Sequence, residues 1–193
     1  RRAARLRDDR RLPLAGLVAA FVFAAQMVNF PVVAGTSGHL IGGVLAAVLA
    51  GPWLGVLAMT VVLLVQGFFF ADGGLSALGL NVGNMALVAT LGGYLIYRGL
   101  LSFLPRRRVA TLVAVGLAAG LSVLLAALAF VLEYAIGGGG AASVGAVAAA
   151  MGGVHALIGI GEGLITALVV GAVLATRPDL VVGAPAVEVA ARG

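Results

Sequence analysis

The apolar residues of this chain fall in long blocks closed by glycine, proline or charged side chains. Residues 12–29, 40–50, 53–71, 82–104, 109–135 and 147–176 form six of them. A helix needs about 20 apolar residues to cross the hydrocarbon of a bilayer, rising 1.5 Å per residue. The second block, stopped by Gly51-Pro52, reaches only about 17 Å at that rise; it must tilt, or lie where the protein itself covers its ends. The pattern predicts an all-α fold, a polytopic bundle of six transmembrane helices.

Arginine positions give these spans an orientation. Arg1, Arg2, Arg5, Arg7, Arg10 and Arg11 precede the first block, Arg98 and Arg106 to Arg108 lie around the junction of the fourth and fifth, and Arg177 and Arg192 follow the sixth. With six spans all three groups share one side, and the positive-inside rule makes that side the cytoplasm of a multi-pass protein of the cytoplasmic membrane. Three arginine-free loops, 30–39, 72–81 and 136–146, then face outward. The expected organisation is a basic cytoplasmic linker over 1–11, a membrane domain over 12–177 and a short cytoplasmic tail over 178–193.

Composition sharpens this reading by exclusion. Of 193 residues, 62% are hydrophobic and 10% charged, against roughly a quarter charged in a water-soluble domain, so the solvent is lipid. All twelve basic residues are arginine. Without lysine there is neither a lysine Schiff base nor a P-loop; without cysteine there is no disulfide, thiolate zinc site or iron–sulfur cluster. The net charge of +5 is an orientation signal and not a nucleic-acid patch. Thirty glycines suit a bundle in which small residues bring backbones close, and Gly38/Gly42, Gly116/Gly120 and Gly159/Gly163 have the four-residue spacing of helix contacts.

Polar side chains inside the apolar chain are the candidates for function, because each costs about 2.5–3.5 kcal/mol on insertion scales unless satisfied. His39 closes the first outer loop behind small residues and is a metal-ligand candidate, since neutral imidazole is a common transition-metal ligand; capping or water contact is the plainer role. Asn81 and Asn84, three residues apart, share a helical face and could bond a ligand or a histidine's second nitrogen, although capping also explains Asn81. His155 and Glu162 lie seven residues apart in the last block, about 10.5 Å along one face, too far to bind one atom together. A bond to a neighbouring helix, or to His155 through a third group, suits Glu162. Asp72 before Gly73-Gly74 reads as a turn residue, Gln66 as a tie between helices, and Glu133 as reaching the interface. No catalytic constellation assembles, so the chain reads as a non-enzyme.

One set of motifs goes further. Gly35-Thr36-Ser37-Gly38-His39 followed by Gly51-Pro52-Trp53, then Val62-Leu63-Leu64-x-Gln66 and Asp72-Gly73-Gly74-Leu75-x-Ala77-Leu78-Gly79-x-Asn81, with a last helix from Gly153 to Val181, resembles the substrate-binding membrane subunit (S component) of cobalt and nickel energy-coupling-factor ABC transporters. The resemblance covers nearly all of 12–181. It implies capture of Co2+ or Ni2+ as cargo, no cofactor of its own, and partners comprising a transmembrane coupling (T) subunit, two cytoplasmic ATPases and a small accessory membrane subunit. It also implies nitrogen-rich, near-square-planar coordination in which a histidine matching His39 joins the amine, backbone nitrogen and imidazole of an N-terminal Met-His pair. Asn81, Asn84, His155 and Glu162 stand beside this as pocket or supporting candidates on their own positions in the apolar blocks.

The Met-His start is not in this sequence. The arginine-rich opening is expected to be a linker from a further N-terminal helix that would carry such an end outward, beside His39. The chain as it stands offers one of the expected ligands and is expected to bind cobalt or nickel poorly by itself. A vitamin-type subunit with the same helical core, and a non-transporting structural membrane subunit, are the alternative readings.

Overall fold

The computed structural model describes residues 2–33, 36–137, 140 and 142–184, with side chains described outside 2–10 and 30–37. The order of elements is α1 (Arg2–Gln26), β1 (Asn29–Val33), β2 (Thr36–His39), α2 (Gly43–Ala50), α3 (Pro52–Phe69), α4 (Leu75–Phe103), α5 (Arg108–Gly137) and α6 (Val144–Thr176). A short 3-10 turn, Pro178–Leu180, follows α6. Arg1, Gly35, Arg192 and the tail beyond residue 184 lie outside the described residues.

Among the described residues the fold is all-α apart from one hairpin, and four helices, α3 to α6, are long and apolar enough to cross a membrane. The other two apolar blocks behave differently. In α1 the apolar part is the 16-residue stretch Arg11–Gln26, and the helix continues back through the basic segment to Arg2 because arginine, alanine and leucine are all good helix formers. The eight residues of α2 are all buried, so protein covers this short helix along its whole length. It packs under α3, where a Cβ on Gly55 would come within 2.9 Å of the Ala47 backbone. Pro52 opens α3 at a position where its missing N–H has no helical partner to lose.

The loop after α1 is the main departure from a helical reading. Asn29 pairs with His39 and Phe30 with Gly38 in an antiparallel ladder. Gly38 and Gly42 therefore do not form a helix contact, despite their spacing: Gly38 lies in β2, and Gly42 has a left-handed φ of 77° with Val22 pressed where a Cβ would stand. The other two glycine pairs do meet. A Cβ on Gly163 would lie 2.6 Å from the Gly116 carbonyl oxygen, and one on Gly159 would lie 2.7 Å from that of Gly120. So α5 and α6 touch backbone to backbone, as small residues in lipid allow.

The two ends of the bundle differ. At one end the Tyr97 hydroxyl donates to the Val182 carbonyl, the Val182 N–H donates to the Val48 carbonyl at 2.9 Å, and the guanidiniums of Arg11 and Arg108 donate to the carbonyls of Ala50 and Leu174. At the other end the hairpin, the turn after α3 and the nearby turns of α4, α5 and α6 surround a cavity. Along the helices Phe103, Trp53, Leu157 and Leu168 stand exposed, a surface suited to hydrocarbon.

Candidate functional site

The cavity has a volume of about 440 Å³ and is lined by His39, Ile41, Asp72, Asn81, Asn84, Met85, Phe130, Met151 and His155, among others. Four of the five residues singled out from sequence, His39, Asn81, Asn84 and His155, come together here from a strand end, one helix and another helix. Glu162 does not; it lines a separate, much smaller void with Gln26 and Thr166.

The two imidazoles are prepared in the same way. Nδ1 of His39 lies 2.7 Å from the Leu40 carbonyl oxygen, and Nδ1 of His155 lies 2.8 Å from that of Met151, one turn back on α6. A carbonyl only accepts, so in each ring Nδ1 carries the hydrogen and the neutral ring keeps its lone pair on Nε2. Gly38 brings the strand against the second ring. A Cβ there would stand 3.2 Å from Nε2 and Cε1 of His155 and 2.8 Å from Cδ1 of Ile158. Glycine at this position keeps that space open.

The amides are held by α4 and its preceding turn. From Val82 to Gly92 the helix is wound as π-helix, a wide form that concentrates at functional sites. Asn84 donates from Nδ2 to Glu133 Oε2 at 2.8 Å, and Asn81 donates from Nδ2 to the Gly73 carbonyl at 3.2 Å. Asn81 therefore ties down the Gly73-Gly74 turn and does not cap a helix, while Glu133 is engaged within the bundle. Both bonds use amide hydrogens, which leaves the amide oxygens as acceptors. Asp72 sits at the start of the turn, where its buried Oδ2 has no hydrogen-bond partner among the described residues. Gln66 is buried outside the cavity lining, and its Nε2 likewise has none.

Glu162 makes a bond that periodicity could not show. Its carboxylate accepts the Ile41 N–H at 2.9 Å and the Gly42 N–H at 2.7 Å, the two amides just ahead of α2. Gln26, an amide inside an apolar block that the sequence reading passed over, donates from Nε2 to the Ile41 carbonyl at 2.6 Å. Met85 and Met151 were also missed, because thioethers inside apolar blocks read as core.

Among the described residues no three His, Cys, Asp or Glu side chains converge as a metal cage. The lining instead offers imidazole nitrogens, thioether sulfurs and amide oxygens, a set that suits late first-row metals; magnesium and calcium favour all-oxygen sites.

Comparison with known proteins agrees with that chemistry. The family CbiM, described as a cobalt uptake substrate-specific transmembrane region, matches residues 1–180. The chain belongs to the CbiM family. A relative in Archaeoglobus fulgidus, named as a fused nickel transport protein NikMN, is 44% identical over 92% of this chain, which spans 58% of that protein's length. A cobalt transport protein CbiM of Sorangium cellulosum is 39% identical over 87% of this chain and 75% of its own. A crystal structure of a transition metal transporter superposes with a TM-score of 0.77 at 32% identity, covering 85% of this chain and 76% of that one. Membership of CbiM places the chain among membrane proteins of cobalt and nickel transport.

Proposed function

We propose that this CbiM-family chain captures Co2+ or Ni2+ from outside the cell for uptake across the cytoplasmic membrane, with ATP hydrolysed by partner subunits. The observation that carries this is the pair of imidazoles in one cavity, each with Nδ1 tied to a carbonyl and Nε2 left as a donor. His39 is the metal ligand in this reading and His155 the second imidazole beside it. Asn81 and Asn84 bond to ligand or ring from the facing helix.

The cavity is larger than one ion needs, since a water molecule occupies only about 30 Å³ in the liquid. Its volume suits a segment bringing further nitrogen ligands, such as the Met-His end that the resemblance implies. In this reading the energy comes from partners: a sequence without lysine carries no P-loop, which fits a coupling T subunit, two cytoplasmic ATPases and a small accessory membrane subunit. The arginine-bearing end faces the cytoplasm and the cavity faces outward. In this organisation 1–11 and 178–193 flank a membrane domain over 12–177.

Reconstitution of the complete transporter in proteoliposomes tests the reading. ATP-dependent accumulation of radioactive cobalt or nickel is expected, and His39→Ala is expected to abolish it. Undiminished accumulation by the variant would contradict the assignment, and accumulation without ATP would contradict the energy source.

A further inference from the structure

We infer that Glu162 is a positioning residue that fastens the His39–Gly42 segment to α6 and so sets where the His39 imidazole stands in the cavity. This rests on the reading of His39 as metal ligand.

The segment is held at every residue. The His39 ring is fixed to the Leu40 carbonyl. The Ile41 peptide is gripped from both sides, its N–H by Glu162 on α6 and its carbonyl by Gln26 on α1, and the Gly42 N–H takes the second carboxylate oxygen. Past that point Val22 fills the space beside left-handed Gly42, 2.5 Å from where a Cβ would be. Ile41, Gln26 and Glu162 are all buried, so bulk water is kept from these bonds.

A carboxylate does here what other side chains cannot. It offers two acceptor oxygens to two adjacent N–H groups, whereas an amide offers one oxygen and two hydrogens of its own. Those N–H groups lie at the positive end of α2, which favours a negative charge; the one ion pair among the described residues is Arg177 with Asp179, away from Glu162. Carrying a carboxylate at this depth is costly, and a purely packing role would be met by an apolar residue.

The gain is in the relation between the two rings. His155 and Glu162 lie on one buried stripe of α6, so the helix that carries the second imidazole also anchors the strand end that carries the first. The distance between the rings is set through one rigid element. Because Gly159 and Gly163 on the adjoining face lock that helix to α5, a shift of α6 against α5 would move both rings together.

The test uses Ni2+ titration of the full-length subunit in nanodiscs, by calorimetry and by the visible absorption of bound Ni(II). Glu162→Gln is expected to stay folded, to weaken Ni2+ binding about ten-fold and to shift the absorption, since one acceptor is lost and the ring moves. Gln26→Leu, which loosens the other side of Ile41, is expected to weaken binding about three-fold and decides the matter should Glu162→Gln fail to fold. Unchanged affinity and spectrum in the folded variant would overturn the inference. His39→Ala separates the two levels. If it binds Ni2+ like the wild type, the reading of His39 as ligand falls; if it loses binding while the other two variants keep theirs, the positioning role alone falls.

Discussion

Two polar clusters lie within the apolar body of this chain, both built from α6 and the segment 38–42, and they are finished in opposite ways. Around Glu162, both carboxylate oxygens take an N–H, and both polar groups of the Ile41 peptide are bonded. The space left there is about 10 Å³, room for about one water. Around His39 and His155, each ring is tied by one nitrogen and each asparagine by its amide nitrogen, and a cavity of about 440 Å³ adjoins the atoms left over. Buried polar groups are normally paired, and in lipid the penalty for leaving them unpaired is larger still. A cluster in which the carboxylate and the peptide it grips are bonded throughout, with Gln26 Oε1 the atom left over, is a joint. A cluster bonded on one side only, and open on the other, is where a ligand belongs.

That contrast predicts which property each substitution disturbs. The largest effect on stability is expected from Glu162→Leu, which strands the buried amides of Ile41 and Gly42 at about 1–3 kcal/mol each. Thermal unfolding in detergent should show it as a clear fall in midpoint, and an unchanged midpoint would dissolve the distinction between joint and cavity. His39→Ala should do the reverse, with Ni2+ affinity of the full-length subunit falling about 100-fold or more while the unfolding midpoint stays near that of the wild type. Gly38→Ala sharpens the boundary between the clusters. Its methyl would press on the His155 ring and Ile158, so a several-fold loss of Ni2+ affinity is expected with little loss of stability. Asn81→Ala removes only an exposed bond to Gly73 and should cost less than about 0.5 kcal/mol in the same melting experiment.

Much of the helical framework was legible because lipid imposes a long uniform period on the sequence. The blocks 53–71, 109–135 and 147–176 sit on α3 (Pro52–Phe69), α5 (Arg108–Gly137) and α6 (Val144–Thr176). The hairpin of Asn29–His39 was not legible: its polar and glycine-rich residues show no alternation, and its pairing is fixed by the helices around it. For the same reason Gly38 and Gly42 mimicked a helix-contact motif.

The π-winding of Val82–Gly92 leaves no mark on composition, yet it bears on how Asn84 is presented beside Asn81. In the candidate site, His39, His155 and the two asparagines stood out as polar residues among apolar ones, and that contrast is the signal a membrane chain gives most clearly. What they face was hidden. Glu162 bonds backbone N–H groups, and every residue but proline has one, so no sequence pattern could single out Ile41 and Gly42. Gln26 carried the same polar-in-apolar signal and could have been found by it.

The position of the metal is the most direct test of His39 as its ligand. A crystal of the full-length subunit loaded with cobalt or nickel, measured at the metal's absorption edge, gives an anomalous peak whose position is read without assumption. One strong peak is expected inside the cavity, about 2 Å from Nε2 of His39, with Nδ1 still on the Leu40 carbonyl. A metal peak elsewhere, with His39 Nε2 free of it, would show that His39 is not the ligand.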